Sequence, residues 1–150
     1  MERGNSQVDP RFGASLTSAA QFASATATTD FTVSEADQLA FAHISGDFNP
    51  LHLDDNFARA QSLAGSVVYG ALIVAKISQI IGMQLPGRNG IWSALKIDFR
   101  EPLYVGQAAR ISAEVGHYSD ATRSVTVKIK VTNGARVIAT ATALTTLHPS

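Results

Sequence analysis

Strand-like patterns of apolar and polar residues fill the second half of the chain. The pattern marks four stretches: 91–99, 109–117, 125–131 and 136–147. The first three alternate with a period of two, which is typical of strands that bury one face, and the fourth is rich in Val, Ile, Ala and Thr. Within the first stretch, Ile91, Leu95 and Phe99 share one face. Turn residues separate the stretches, including the hairpin-favouring pair Asn133-Gly134, so we predict a meander of consecutive antiparallel strands.

The first half of the chain begins with a weak, Thr-rich strand at 22–33 and continues as helix. Ser34 followed by Asp37 predicts a capped helix start, and Gly46 predicts its end. The helix is predicted to bury an apolar stripe. That stripe comprises Ala36, Leu39, Ala40 and Ile44.

Two more helices are predicted before the strands of the meander. Asp54 or Asp55 caps a short helix ending near Gln61, and the segment from Ser66 to Leu85 is apolar on nearly every side. A helix of that kind is expected to be buried all round. We therefore predict an α+β fold, a single domain at 23–150 whose antiparallel sheet wraps around a long buried central helix, preceded by a flexible tail at 1–22.

Composition narrows the possible functions. The 150 residues suit one domain, and 12 Lys+Arg against 12 Asp+Glu give no basic footprint for nucleic acid or an anionic membrane. With no Cys, the chain has no thiolate nucleophile and no Cys-based metal site. The charged share of 16% is low and suggests an extensive interface or an enclosed interior. No apolar run is long enough for a membrane span, and no secretory core is present, so we expect a cytoplasmic protein.

Candidate chemistry concentrates in the segment SGDFNPLH at 45–52. Its Gly, Asp, Asn and Pro residues suit a tight turn, and turn formation alone is one explanation for them. A turn does not explain His52, an acid-base side chain that lies five residues beyond Asp47. Asp47 and His52 are therefore candidates for an acid-base pair.

SGDFNPLHLD at 45–54, followed by VVYGALIVAKIS at 67–78, resembles the MaoC-like (R)-specific enoyl-CoA hydratases, also called hydratase 2, which adopt the hotdog fold. The resemblance extends from about Phe31 to Leu147. It implies reversible addition of water to a trans-2-enoyl thioester, giving an (R)-3-hydroxyacyl thioester. It also implies an acyl-CoA substrate and a homodimer joined edge to edge through its sheets.

The resemblance also implies roles for single residues. Asp47 and His52 would be the catalytic pair, the Gly70 N–H would meet the thioester carbonyl, and Ser78 would make a polar contact with the substrate, with Asn49 as a further substrate-binding candidate. Hydration needs a proton taken from water, a proton delivered to C2 and stabilisation of an enolate, and an acid-base pair facing a helix N-terminus meets these needs. We expect Asp47 and His52 to hold one water between them.

A stripe of small residues, Ala71, Ala75 and Ser78, follows Gly70 at helical spacing. It could form a slot for the acyl chain, and close packing of helix on sheet is the alternative. Tyr69 is placed with this acyl pocket, and it stands where such hydratases often have His, which leaves substrate preference open.

Other residues have simpler explanations. His43 is expected to be a solvated helix residue, His117 a strand residue at the sheet and His148 a tail residue. No pair of His residues has metal-ligand spacing on a helix, so we expect no metal and no cofactor beyond the thioester carrier. The absence of Asp and Glu from 70–85 counts against hotdog thioesterases. Two alternatives stay open: a dehydratase acting on acyl-carrier-protein or polyketide thioesters, and a non-catalytic acyl-binding or scaffold subunit, which would have no need for His52.

Overall fold

One antiparallel sheet and a central helix organise the part of the chain that this computed structural model describes, Leu16 and residues 18–148. The helices are α1 (Ala19–Phe22), α2 (Glu35–Ser45), α3 (Pro50–Leu53), α4 (Asp55–Ala60) and α5 (Gly70–Met83). The strands are β1 (Thr26–Thr32), β2 (Gly90–Phe99), β3 (Ala108–Ser119), β4 (Ser124–Asn133) and β5 (Arg136–Leu147). The predicted α+β class is confirmed.

The order of strands across the sheet is β1-β3-β4-β5-β2. The prediction of antiparallel neighbours holds for β3, β4 and β5 but is wrong for β2, which pairs with β5 at the far edge, while β3 pairs with β1. The link between β2 and β3 does not form a hairpin because its backbone bonds elsewhere. Leu103 O accepts from Val68 N–H, and Val105 N–H donates to Ser66 O, at 2.8 and 3.0 Å.

Helix α5 buries one face against the sheet. The buried residues are Ile73, Ile77, Ile80 and Ile81, and they share a core with the inward side chains of β3, β4 and β5. The prediction that this helix is buried on all sides is wrong for the single chain, because one sheet covers only one side. Ala71, Ala75 and Ser78 face outward and are exposed.

Helix α2 begins and ends as predicted, but the face that it buries is not the predicted one. Ser34 and Asp37 form the capping box, and Gly46 ends the helix with a positive φ of 78°. The predicted stripe is wrong: Leu39 and Ile44 are 49% and 83% exposed. The buried residues are Gln38 and Ala42, because the side chain of Gln38 bonds to backbone groups beneath the helix.

Strand β2 contains a register shift between Trp92 and Ala94. The shift moves Trp92 to the side that packs on the core with Leu95 and Ile97. Ile91, which was predicted on the same face as Leu95, is 56% exposed because the extra residue reverses its side. Phe99 lies on the same side of the strand as Ile97, but it is at the end of the strand and is 51% exposed.

The predicted N-terminal tail falls mostly on residues 1–15 and 17, which lie outside the described residues. Its last part is not a tail, since Ser18 caps the helical turn α1, which buries Phe22. The Phe22 ring stacks on Tyr118 with the ring centroids 4.9 Å apart, and this contact gives the segment its order. Among the described helices, none combines the length and the apolar character that crossing a bilayer would require.

We predict that Ile77→Ala, in the fully buried centre of α5, lowers the free energy of unfolding by about 2–5 kcal/mol, since the methyl groups leave a cavity against the sheet. Gln79→Ala, on the exposed side of the same helix, should stay within about 0.5 kcal/mol of the wild type. Urea unfolding of the three proteins measures both changes. Equal losses would contradict the assignment of the two helix faces.

Candidate active site

A chain of side-chain caps shapes the segment between α2 and α3. After Gly46 ends α2, Asp47 Oδ1 accepts a hydrogen bond from Asn49 N–H at 3.0 Å. Asn49 Oδ1 in turn accepts from Leu51 N–H at 2.9 Å and caps α3. The segment was expected to form a turn, and His52 in fact lies on the short helix α3, because Pro50 and the Asn49 cap start a helical turn there.

The imidazole of His52 is held by a backbone carbonyl. Its Nδ1 lies 2.7 Å from Val67 O. A carbonyl oxygen only accepts hydrogen bonds, so Nδ1 carries the proton in the neutral ring and Nε2 keeps its lone pair. This tautomer leaves Nε2 able to act as a base.

Tyr69 lies between Asp47 and His52. Its side chain is buried, its ring is 3.9 Å from the His52 ring between centroids, and its hydroxyl donates to Asp47 O. Burial, and then the nearby charge of Asp47, raise the pKa of Tyr69 above its ordinary value. Tyr69, predicted as part of the acyl pocket, instead lies behind His52 and joins it to the Asp47 backbone.

A cavity of about 340 Å³, which we call the Gly70 cavity, brings His52 and Gly70 together. Its other walls come from Val67, Val68, Ile73 and the segment from Phe99 to Leu103. Gly70 is the first residue of α5, and Tyr69 at the N-cap makes no side-chain capping bond. Within the described residues the Gly70 N–H has no acceptor, so an unpaired donor and the positive end of a helix dipole border the same space as His52.

The ring of Phe99 packs closely against Gly70 at the start of α5. A Cβ added there would lie 2.9 Å from Cζ of Phe99. The Phe99 ring therefore rests on the Cα side of Gly70 and forms part of the cavity wall.

The remaining predicted site residues lie elsewhere. Asp47 is exposed and is absent from the walls of the described cavities that border His52. The Asn49 side chain is engaged as a helix cap. Ser78, Ala71 and Ala75 occupy the outward face of α5. The structure thus brings His52 and Gly70 into one cavity and links Asp47 to His52 through Tyr69. It leaves the small-residue stripe open to solvent in the single chain.

His52 also borders a second space of about 370 Å³, which we call the Asp55 cavity. Two carboxylates, those of Glu35 and Asp55, are among its walls. Asp55 Oδ1 accepts from both N–H and Oγ–H of Ser66, at 2.8 and 2.7 Å. These bonds, with the charge of Arg59, hold the pKa of Asp55 below its ordinary value, so Asp55 is a carboxylate at neutral pH, and it forms an ion pair with Arg59 at 3.1 Å.

Sequence reasoning missed Gln38, whose buried amide bonds to three backbone groups around His52. A glutamine near the start of a capped helix carries no sequence signal of burial, and the apolar stripe predicted a different face. No group of three or more His, Cys, Asp or Glu side chains that could hold a metal ion occurs in residues 18–148.

Comparison with known proteins assigns the chain to a family. It belongs to the MaoC-like domain family, with the match spanning residues 18–137. The (R)-hydratase of Aeromonas caviae involved in PHA biosynthesis has a similar structure, with a TM-score of 0.79 and 30% identity over 83% of this chain and 96% of that chain. The fold is accordingly the hotdog fold, as the resemblance implied.

Curated relatives of this chain are named as hydratases and dehydratases. An (R)-specific enoyl-CoA hydratase of Aeromonas caviae is 39% identical over 80 residues, which is 53% of this chain and 60% of the relative. A 3-hydroxybutyryl-CoA dehydratase of Methylorubrum extorquens is 31% identical over 55% of this chain and 53% of its own length. The matched region thus spans little more than half the length of these two relatives.

We predict that Tyr69→Phe removes part of the alkaline sensitivity of the fold. Because the pKa of Tyr69 is raised in the folded protein, its contribution to stability is present below about pH 10 and declines as the pH rises further. Urea unfolding between pH 8 and 11 should therefore show a steeper alkaline loss in the wild type than in Tyr69→Phe. Parallel curves would contradict the burial of this hydroxyl group.

Proposed function

We propose that this protein is an (R)-specific enoyl-CoA hydratase that adds water reversibly to trans-2-enoyl-CoA. The observation that carries the proposal is that one cavity is lined both by His52, whose Nε2 is free of hydrogen bonds, and by Gly70, whose N–H has no acceptor among the described residues. Family membership and the names of the relatives support the same reaction.

In the proposed reaction the thioester carbonyl of the substrate accepts a hydrogen bond from Gly70 N–H. Water adds to C3, one of its protons passes to the protein, and C2 receives a proton, so no oxidant or reductant is needed. The negative charge that develops on the thioester oxygen faces the N-terminus of α5, where a backbone donor can contribute about 3 kcal/mol.

His52 and Asp47 share the water in this proposal. Nε2 of His52 is the acceptor available on the cavity wall, since Nδ1 is committed to Val67 O. The Asp47 carboxylate is exposed, and its bond to Asn49 N–H uses only Oδ1. In this proposal the Asp47 side chain turns toward the Gly70 cavity when substrate binds, since catalytic contacts commonly tighten in the substrate complex.

Charge favours the Gly70 cavity over the Asp55 cavity as the substrate site. An acyl-CoA thioester is an anion, and the Asp55 cavity has two carboxylates among its walls, of which Asp55 is paired with Arg59 at 3.1 Å while Glu35 forms no ion pair with another described residue. The wall of the Gly70 cavity includes Arg100 beside Glu101, and the Glu101 carboxylate is paired with Arg136 at 2.7 Å. Arg100 thus supplies positive charge on the side where the thioester would bind.

A homodimer is part of the same proposal. Strand β2 is an edge of the sheet, and the neighbouring side of α5 exposes Ala71, Ala75 and Ser78. Side chains this small allow close approach of another surface. We infer that a second copy covers this side, which would enclose the small-residue stripe as the slot for the acyl chain and place Ser78 inside it.

We predict that Asp47→Asn and His52→Gln each reduce hydration at least about a hundredfold, since each removes a group that exchanges protons with water. Loss of the enoyl-thioester absorbance with crotonyl-CoA and longer homologues measures the rate, and chiral analysis of the product tests the (R) configuration. His43→Gln, on the exposed side of α2, is the control and should retain wild-type activity.

Unchanged activity in Asp47→Asn or His52→Gln would overturn the assigned roles. A wild-type protein inactive on every CoA ester but active on the same acyl groups attached to acyl carrier protein would identify the carrier as the protein. Inactivity on both carriers, with tight binding of the thioesters, would favour an acyl-binding subunit over an enzyme.

The dimer yields a separate prediction. Ala75→Glu places a charge in the middle of the outward face of α5, so it should convert the dimer into a monomer in sedimentation velocity. Thr28→Glu, on the exposed face of β1, should leave the dimer intact. A monomeric wild type, or an Ala75→Glu dimer, would contradict the proposed interface.

A further inference from the structure

Gln38 is buried in α2 with 1% of its surface exposed. Its Nε2 donates to His52 O and to Val67 O, each at 2.9 Å. Its Oε1 accepts from Tyr69 N–H at 3.1 Å. The orientation of the amide is unambiguous, because two carbonyl oxygens require donors and an N–H requires an acceptor.

The three backbone groups bonded to Gln38 belong to the parts that form the candidate site. His52 carries the candidate base. Val67 O accepts from His52 Nδ1–H as well as from Gln38, so its two lone pairs are both engaged and its direction is fixed. Tyr69 immediately precedes Gly70, the proposed donor to the thioester.

We propose that Gln38 is a positioning residue that sets the His52 imidazole and the Gly70 amide in one fixed geometry. Its amide is a three-way link between α2, α3 and the residues that lead into α5. Gln38 borders the Asp55 cavity and is not part of the wall of the Gly70 cavity, so it acts through His52 and not on the substrate. Only the kinetic part of this inference rests on the proposed hydratase function.

A purely structural role would have a different signature. If Gln38 served only to satisfy buried polar groups, its loss would lower the stability of the fold, while the molecules that remain folded would turn over at the normal rate. A positioning role requires a lower kcat in fully folded protein, since small displacements of reacting groups are costly.

The decisive variant is Gln38→Met, which keeps the side-chain length and removes the amide. We expect kcat with crotonyl-CoA to fall about tenfold to a hundredfold, with KM changed by less than about twofold, because substrate contacts are retained and the geometry of the reacting groups is not. The matched control is Gln84→Met, which removes a partly buried bond from Gln84 Nε2 to Thr29 Oγ1 at 2.8 Å, far from His52 along α5. The control should keep both constants.

A second variant separates the acceptor function of the Gln38 side chain from its donor function. Gln38→Glu retains an acceptor for Tyr69 N–H but, even when burial keeps its carboxyl group protonated, has only one O–H to offer His52 O and Val67 O, where the amide donates to both. We expect it to lose as much kcat as Gln38→Met. Should Gln38→Met fail to fold, Gln38→Asn, whose amide is one methylene too short to reach all three partners, carries the same expectation.

A spectroscopic measurement tests the link without relying on activity. In the wild type at pH 8.5, the Hδ1 proton of His52 should give a downfield NMR resonance, because Val67 O holds it, and His52→Gln identifies the signal by its absence. Gln38→Met should broaden this resonance or move it upfield, while Gln84→Met should preserve it.

The outcomes separate the two proposals. An unchanged Hδ1 resonance in Gln38→Met, or a kcat within about twofold of wild type in either Gln38→Met or Gln38→Glu, would overturn the positioning role. An inactive wild type would overturn the hydratase function, and in that case the loss of the Hδ1 resonance in Gln38→Met would still establish that Gln38 positions His52.

Discussion

Burial of the isoleucine face of α5 against one side of the sheet is the constraint on which the candidate site depends. This packing joins the helix to the inward residues of β3, β4 and β5 in one core. It fixes the axis of α5, and with it the place and direction of the amide at Gly70. The candidate site forms where that helix begins, because Gly70, whose N–H is unpaired, and His52 of α3 line one cavity there.

The short segment from Ser66 to Tyr69 transmits this constraint to the rest of the site. Val68 N–H and Ser66 O bond to the link between β2 and β3, so the segment is tied to the sheet on one side. On the other side, Val67 O holds the His52 ring and Tyr69 stacks on it. The segment therefore relates the candidate base both to the helix N-terminus and to the sheet through ordinary backbone bonds.

Local chemistry in the sequence predicted local structure well. The caps at Ser34 and Asp54 and the helix end at Gly46 depend on residues a few positions apart, and the alternation in β3 and β4 depends on a repeated contact with one core. The crossover of β2 and its register shift depend instead on partners far along the chain, and no pattern within the strand specifies them. The same distinction applies to the site: the motif identified His52, whereas Gln38 is buried by bonds to residues 14 to 31 positions away.

The ring of Phe99 belongs at once to the last position of an edge strand and to the wall of the Gly70 cavity. Because β2 has a neighbour on only one side within the described sheet, its free side is one of the two open edges of that sheet. Contacts with another chain along that side would therefore change the shape of the Gly70 cavity through the Phe99 ring. In the proposed hydratase, selectivity for the acyl group would therefore depend on how the sheet ends as well as on the motif that supplies the chemistry.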